Sequence, residues 1–326
     1  MFDGYRELWT PVAFSSELGR KPLGVEIAST RVVLWRGPGG VSALLDKCPH
    51  RGVKLSLGQV RDGCLECPFH GWRFAADGAC AHVPMQPRAK RELLGVGALP
   101  VREVGGLLWV FTGPEAVGEP AVPSGLLRSD VARFEIAETW QCHWTRAMEN
   151  MLDYPHLPFV HATTIGVGIR RRMTAASELS FELEDTPTGF TIHTTLDGDT
   201  QGKLSWLRPN GMELEILPDD RGGMRGHAFC VPVAPDRTRM MIVATRGFGL
   251  YNPLYKLTDW FNAWVLRQDR RVCESHDPLE VPAPEEERSV AADKPTLAFR
   301  RWYLRQGAGE TAGADGVNRP TSISAS

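Results

Sequence analysis

Short apolar runs broken by Gly, Pro and Asp fill the first ~115 residues, the pattern of strands joined by tight turns. "VEIAST", "RVVLWRG", "VSALLD", "CLECPF", "WRFAADG" and "LLWVFTG" carry the β-branched and aromatic residues that suit a pleated surface. They predict a small antiparallel β domain. "GPEAVGEPAVPSG" (Gly113 to Gly125) has no period and is rich in Pro and Gly, which predicts a linker and a boundary near residue 120. Beyond it "WTRAMENMLD" has helical character. Ser177 to Gly247 then alternates again in segments such as "FTIHTTLDG", "MELEIL" and "RMMIVATRGF", and a longer helix is expected from about Pro253 to His276. The fold class expected is α+β: an antiparallel β domain over 1–120, then a domain over 121–306 in which an antiparallel sheet packs with helices. Residues 307–326 are small and polar without apolar periodicity and read as a disordered tail.

Composition adds bounds. At 326 residues, 42% hydrophobic and 23% charged, the chain can bury a substantial core, and two domains are the natural expectation. A net charge of -2 gives no general reason to expect nucleic acid or an anionic membrane as partner. "MFDGYRELWTPV" has no basic n-region, and nothing downstream approaches the ~20 apolar residues of a membrane span, so a cytoplasmic protein is expected. Seven cysteines, an odd number, favour reduced thiols or metal ligation over a disulfide framework.

Four of those cysteines lie between Cys48 and Cys80, and two share short loops with histidines: Cys48-Pro-His50 and, sixteen residues on, Cys67-Pro-Phe-His70. Two thiolates and two imidazoles suit tetrahedral zinc or an iron-sulfur cluster, and the residue types alone do not choose. In a zinc finger one knuckle supplies both cysteines and a helix both histidines, whereas here each loop supplies one of each. That mixed pattern suits a Rieske 2Fe-2S cluster, with both thiolates on one iron and both imidazoles on the other. Cys64, Cys80 and His82 read as strand, packing or turn residues.

A second constellation lies in "ENMLDYPHLPFVH". Asn150, Asp153 and His156 fall at i, i+3 and i+6, so an uninterrupted helix would place them on adjacent parts of one face. His161 would sit ~140° away on such a helix, but Pro155 and Pro158 should bend or stop it and let His161 swing back. Two neutral imidazoles beside carboxylates suit nonheme Fe(II) in a 2-His-1-carboxylate triad with positions open for dioxygen and substrate. The late helix offers Asp259, Asp269, Glu274 and Asp277 as the carboxylate. Val265, Asp269, Val272, Cys273 and His276 share one face, so Asp269 is the expected inward-pointing group.

"CPHRG", "CPFHGW", "DGAC" and "VP", followed by D-x-x-H-x-x-x-x-H after an Asn, closely resemble the Rieske nonheme iron oxygenases, in layout over nearly all of residues 5 to 305. The resemblance implies a helix-grip catalytic domain, a cluster held by Cys48, His50, Cys67 and His70, and Fe2+ held by His156, His161 and Asp269. It implies that Asp153 bridges to a cluster histidine of the neighbouring subunit and that Asn150 sits near the iron without being an obligatory ligand. The late-helix context "QDRRVCES" supports Asp269, while His276 departs from the Gln of many relatives. Length resembles the homotrimeric members, O-demethylases and dicamba monooxygenase among them.

The activity implied is monooxygenation, either hydroxylation or oxidative O- or N-demethylation, of a small apolar aromatic or alicyclic compound. Cis-dihydroxylation and desaturation stand as alternatives at the same iron. A Rieske electron carrier is the alternative class, although it needs only ~100 residues and leaves most of the chain unexplained. No G-x-G-x-x-G opens a helix after a strand, and "GPGG" at Gly37 to Gly40 reads as a hairpin turn, so NAD(P)H is expected to act only through a separate ferredoxin or flavin reductase. The substrate pocket is expected from Ser177 to Gly247 and the start of the late helix. His193 and His227 lie in strand-like segments and read first as structural residues, with hydrogen bonding to substrate as the alternative, and "RRRM" at Arg170 to Met173 reads as a solvated basic face.

Overall fold

Strands begin earlier than the alternation suggests. β1 (Trp9–Phe14), "WTPVAF", is buried at every position, so it shows no period, and Pro11 further masks it. A register irregularity between Pro11 and Ala13 lets it pair with β11 (Leu107–Phe111), closing the first unit by joining its two ends. The structure, a computed structural model, describes residues 1–219, 223–248 and 256–307, without the side chains of 256–259 and 307. Of the expected tail over 307–326, Gly307 still belongs to the last helix and 308–326 lie outside the described residues, as does the expected helix start at Pro253.

In the first unit β10 (Val101–Val104) flanks β11. A second sheet runs β2 (Leu23–Ile27), β3 (Thr30–Gly37), β4 (Gly40–Leu45) and β9 (Ala98–Leu99). Gly37 pairs with Gly40 across the expected hairpin turn. A third sheet joins β5 (Gln59–Arg61), β6 (Cys64–Glu66), β7 (Arg73–Phe74) and β8 (Cys80–His82). Its Leu65 and Phe74 pack with Val33, Trp35, Cys48 and Cys67 in one core cluster, which seats the two Cys/His loops on a rigid floor.

The expected linker is not loose. Trp9 Nε1 donates to Gly118 O at 3.1 Å, Arg102 pairs with Glu119 at 3.0 Å, and Ser124–Leu127 forms a 3-10 turn that buries Gly125 and Leu126. These contacts lie far apart in sequence, which is why Pro/Gly composition alone reads as flexible.

The second unit is built on one antiparallel sheet: β12 (Ala132–Trp140), β18 (Arg237–Arg246), β17 (Met224–Ala234), β16 (Gly211–Leu217), β15 (Asp199–Leu207), β14 (Gly189–Leu196) and β13 (Leu179–Thr186), in that spatial order. Helices α1 (Trp144–Leu152), α4 (Lys256–Cys273) and α5 (Lys294–Gly307) cover it, with short α2 (Leu157–Val160) and α3 (Val167–Arg172) between α1 and β13. The fold is α+β, as expected. The two units share a core running from Val12 and Leu34 to Trp140, Trp206 and Phe299. The β2–β3 turn, with Ala28 and Ser29 at positive φ, docks on β17 through Ala28 N to Pro232 O (2.9 Å) and Ser29 N to Val233 O (2.8 Å).

α4 ends at Cys273, short of His276, whose ring Nδ1 lies 3.1 Å from Cys273 O. Its inward face also differs from the expectation. Leu266, Asp269 and Cys273 are buried, whereas Val272 is 39% exposed.

Candidate metal centres and substrate cavity

The two Cys/His loops close in the same way. Cys48 N donates to Val53 O and Gly52 N to Cys48 O; Cys67 N donates to Trp72 O and Gly71 N to Cys67 O. Gly52 and Gly71 hold φ of 73° and 67°, a left-handed conformation that a side chain would strain. Cys48 and Cys67 form the floor, each 2% exposed. Burial, with the Cys67 thiol beside it, pushes the Cys48 thiol up to about 11. The His50 and His70 rings stand 4.6 Å apart at the rim, and His50 stacks on Trp72 at 4.5 Å. His50 Nδ1 is buried without a hydrogen-bond partner. Two adjacent soft sulfurs and an inward nitrogen with nothing to bind fit a Rieske cluster.

The second motif folds differently from the expected single helix. α1 stops at Leu152, and Asp153 takes extended geometry (φ -90°, ψ 129°). Its Oδ2 instead accepts the backbone N–H of His156 at 2.8 Å, competing with helix continuation as an N-cap does. Pro155 supplies no donor to the interrupted ladder. Pro158 then lies in the first turn of α2, where a missing N–H is harmless, and His156 and His161 bracket that turn. Asn150, Asp153 and His156 therefore do not share one helix face.

Asp269, 5% exposed, meets the bracketed turn from α4. Its Oδ1 is 2.9 Å from His161 Nε2 and 3.6 Å from His156 Nε2, and it is buried without a geometrically sound hydrogen bond. One ligand atom from each residue lies within 4.8 Å of the others. Both outer nitrogens are engaged: His156 Nδ1 lies 3.0 Å from Asp153 Oδ2, and His161 Nδ1 lies 2.9 Å from Gln268 Oε1, which also accepts the Thr164 hydroxyl at 2.8 Å. Protons on Nδ1 leave both Nε2 lone pairs aimed at one point, which fits a divalent ion. Burial opposes a charged His161, but Asp269 outweighs it and holds the pKa above its ordinary value, so proton and metal compete for this nitrogen.

Gln268 and Thr164 hydrogen-bond at the three-residue cluster, which sequence reading misses. Gln268 adjoins Asp269, but its role depends on contact with a histidine 107 positions away. Of the other candidate carboxylates, Glu274 accepts Gln141 N and pairs with Arg270, and Asp277 lies beyond α4; neither belongs to the described three-residue cluster. The Asp259 side chain lies outside the described residues.

A cavity of about 440 Å3 opens beside the three residues. Apolar side chains dominate its wall, among them Ile169, Phe181, Ile192, Leu204, Met212 and Val265; Asn150, Thr194 and Gln201 are the uncharged hydrogen-bonding side chains besides Tyr154. Neither His193 nor His227 is among the residues that line it, in keeping with their ordinary structural reading. His193 alternates to the other face from Ile192 and Thr194 and pairs with Glu184 at 3.3 Å. His227 is fully buried, 3.3 Å from the Thr245 hydroxyl, and does not line the cavity. Arg170, Arg171 and Arg172 are exposed at the end of α3.

Residues 8–101 match the Rieske [2Fe-2S] domain family, and residues 140–306 match the vanillate O-demethylase oxygenase C-terminal domain family. The oxygenase component of dicamba O-demethylase from Stenotrophomonas maltophilia is 38% identical over 160 residues, covering 48% of this chain and 47% of that protein. The alpha subunit of phenoxybenzoate dioxygenase from Ectopseudomonas oleovorans is 30% identical over 273 residues, covering 76% and 66%. The match thus spans about half the length of the dicamba relative, and two-thirds or less of both. The crystal structure of dicamba monooxygenase bound to dicamba superposes with a TM-score of 0.80 at 23% identity, covering 94% of this chain and 98% of that one, and so shares the fold. Both family matches fall in the order of the two centres, the second across half the chain, and the chain belongs to the Rieske nonheme iron oxygenases, which carry a 2Fe-2S cluster and a mononuclear iron.

Proposed function

We propose that this chain is the oxygenase component of a monooxygenase that uses O2 and externally supplied electrons to hydroxylate, or oxidatively O- or N-demethylate, a small apolar aromatic or alicyclic compound. Cys48, His50, Cys67 and His70 hold the 2Fe-2S cluster; His156, His161 and Asp269 hold Fe2+. When bound, the cluster supplies single electrons and the iron the reductive activation of dioxygen. The carrying observation is the convergence of His156, His161 and Asp269 beside an apolar cavity, which a pure electron carrier does not need.

The chain's own groups do the rest. Asp153 and Gln268 fix the imidazole orientations, Asp269 offsets the ion's charge, and the apolar wall excludes water and holds substrate without ligating it. Asp153 uses only Oδ2 for its two contacts to His156. Oδ1 takes no part in those two contacts, and we assign it to a cluster histidine of a neighbouring subunit in a homotrimer closed head to tail. Phe69 and Met85, 60% and 93% exposed near the cluster loops, support a docking face there. Electrons come from a separate ferredoxin or flavin reductase that draws on NAD(P)H. The units divide near residue 120, and seven free cysteines suit a reducing, cytoplasmic location. No described helix is long and apolar enough to cross a membrane.

The test is metal content and EPR of the chain purified without oxygen. Roughly three irons and two acid-labile sulfides per chain are expected, with the low average g of a His-ligated cluster after dithionite reduction. H156A should keep two irons, both sulfides and the EPR signal while losing the third iron. Zinc without sulfide would sink the reading.

A further inference from the structure

Most polar groups around the cavity already have partners within the protein. Gln201 Nε2 donates to Asp199 O at 2.8 Å and its Oε1 accepts the Tyr154 hydroxyl at 3.1 Å; Glu215 borders the cavity, with its carboxylate 3.4 Å from Arg225. Asn150 also lines the cavity, but its Nδ2 is fully buried and does not open onto it. Thr194, 6% exposed, lines it from β14 directly across from Gly202, where the missing side chain leaves room against the strand.

Charge points the same way. Apart from the two triad histidines, the ionisable side chains among the described lining residues are Tyr154 and three carboxylates, Asp153, Glu215 and Asp269; none is Lys or Arg. Arg172 acts on the Tyr154 hydroxyl but does not line the cavity. Asp153 and Asp269 together offset a divalent ion, so a carboxylate entering here would lose its hydration without gaining a cation from the described lining residues. The volume of about 440 Å3 is that of a small-molecule site.

We infer that the substrate is an uncharged apolar compound bearing a carbonyl oxygen, recognised by the Thr194 hydroxyl, and that carboxylates of the same shape are rejected. This rests on the function proposed above and narrows it. It also separates this chain from relatives named for chlorobenzoate or phenoxybenzoate.

The test is binding, by fluorescence titration of the iron-loaded chain without oxygen, of 2-acetyl-6-methoxynaphthalene against 6-methoxy-2-naphthoate, which differ only by methyl against O⁻. The ketone should bind at least tenfold more tightly. Thr194→Val should weaken ketone binding about three- to tenfold while leaving 2-methoxy-6-methylnaphthalene unchanged. Equal or tighter binding of the carboxylate, no binding of either, or an indifferent Thr194→Val overturns the inference. Three irons and two sulfides in that same preparation would leave the oxygenase reading standing; missing mononuclear iron after Fe(II) addition would remove that reading instead.

Discussion

His161 shows how much of the proposed metal site is set by a neighbour outside its three ligands. Gln268 Oε1 receives both the His161 ring and the Thr164 hydroxyl, so the imidazole is held in one tautomer and one orientation. Replacing it by Leu removes the acceptor in a buried place. Gln268→Leu is expected to weaken Fe(II) binding ~10–100-fold, read by competition with a chelator, while the EPR signal of the cluster stays unchanged. Gln268→Glu keeps an acceptor and should retain most of the affinity. The proposed ligand types could be named from the sequence, because Cys, His and Asp carry their chemistry wherever they sit. The groups that aim them were not, since an amide has no spacing signature and acts here across 107 positions.

At the scale of elements, the helix that carries Asn150 is held by buried charge. Arg146 and Arg300, 2% and 6% exposed, flank Glu149 on α1 and share Glu287, so α1 is tied to α5 and to the segment before it. Arg300→Met leaves Glu149 with one buried cation and should cost about 3–5 kcal/mol, measured by denaturant unfolding of the loaded protein. The face of α4 gives a second check. Leu266→Asp places a charge in the core and should prevent stable folding, whereas Val272→Asp lies on the exposed side and should change stability by less than about 0.5 kcal/mol. Helical spacing placed Asp269 inward correctly but turned the face slightly, because Val272 looks like a core residue and only packing shows which side of α4 meets water. Likewise β1 had no readable period because both its faces are buried.

For the whole molecule, His227 couples the sheet to pH. Burial above all, then Arg133 and Arg225, pushes its pKa down to about 3. Below an unfolded value of about 6.5 the unfolded chain binds a proton that the native chain refuses, so stability falls as pH drops from about 6.5 toward 3. Between pH 7 and 5 this one group accounts for as much as about 2 kcal/mol. His227→Gln should flatten that part of the pH dependence relative to wild type, and unfolding curves at the two pH values measure it. A parallel loss in both proteins would show that His227 is not responsible.

The sequence by itself determined the chemistry and the plan: two Cys/His loops of matched spacing, a His pair beside carboxylates, strands before and after a Pro/Gly-rich stretch, and a late helix with an inward Asp269. Loop spacing and residue type act over a few positions, so they are readable without a fold. Tertiary structure alone decided that Asp153 ends α1 by capturing His156 N–H and that α4 brings Asp269 to 2.9 Å from His161. It also decided that Asn150 and Thr194, 44 residues apart, border one cavity while His193 and His227 face elsewhere. The reason is packing: which groups converge depends on how helices and sheet bury their apolar faces together, and that is a property of contacts between distant segments.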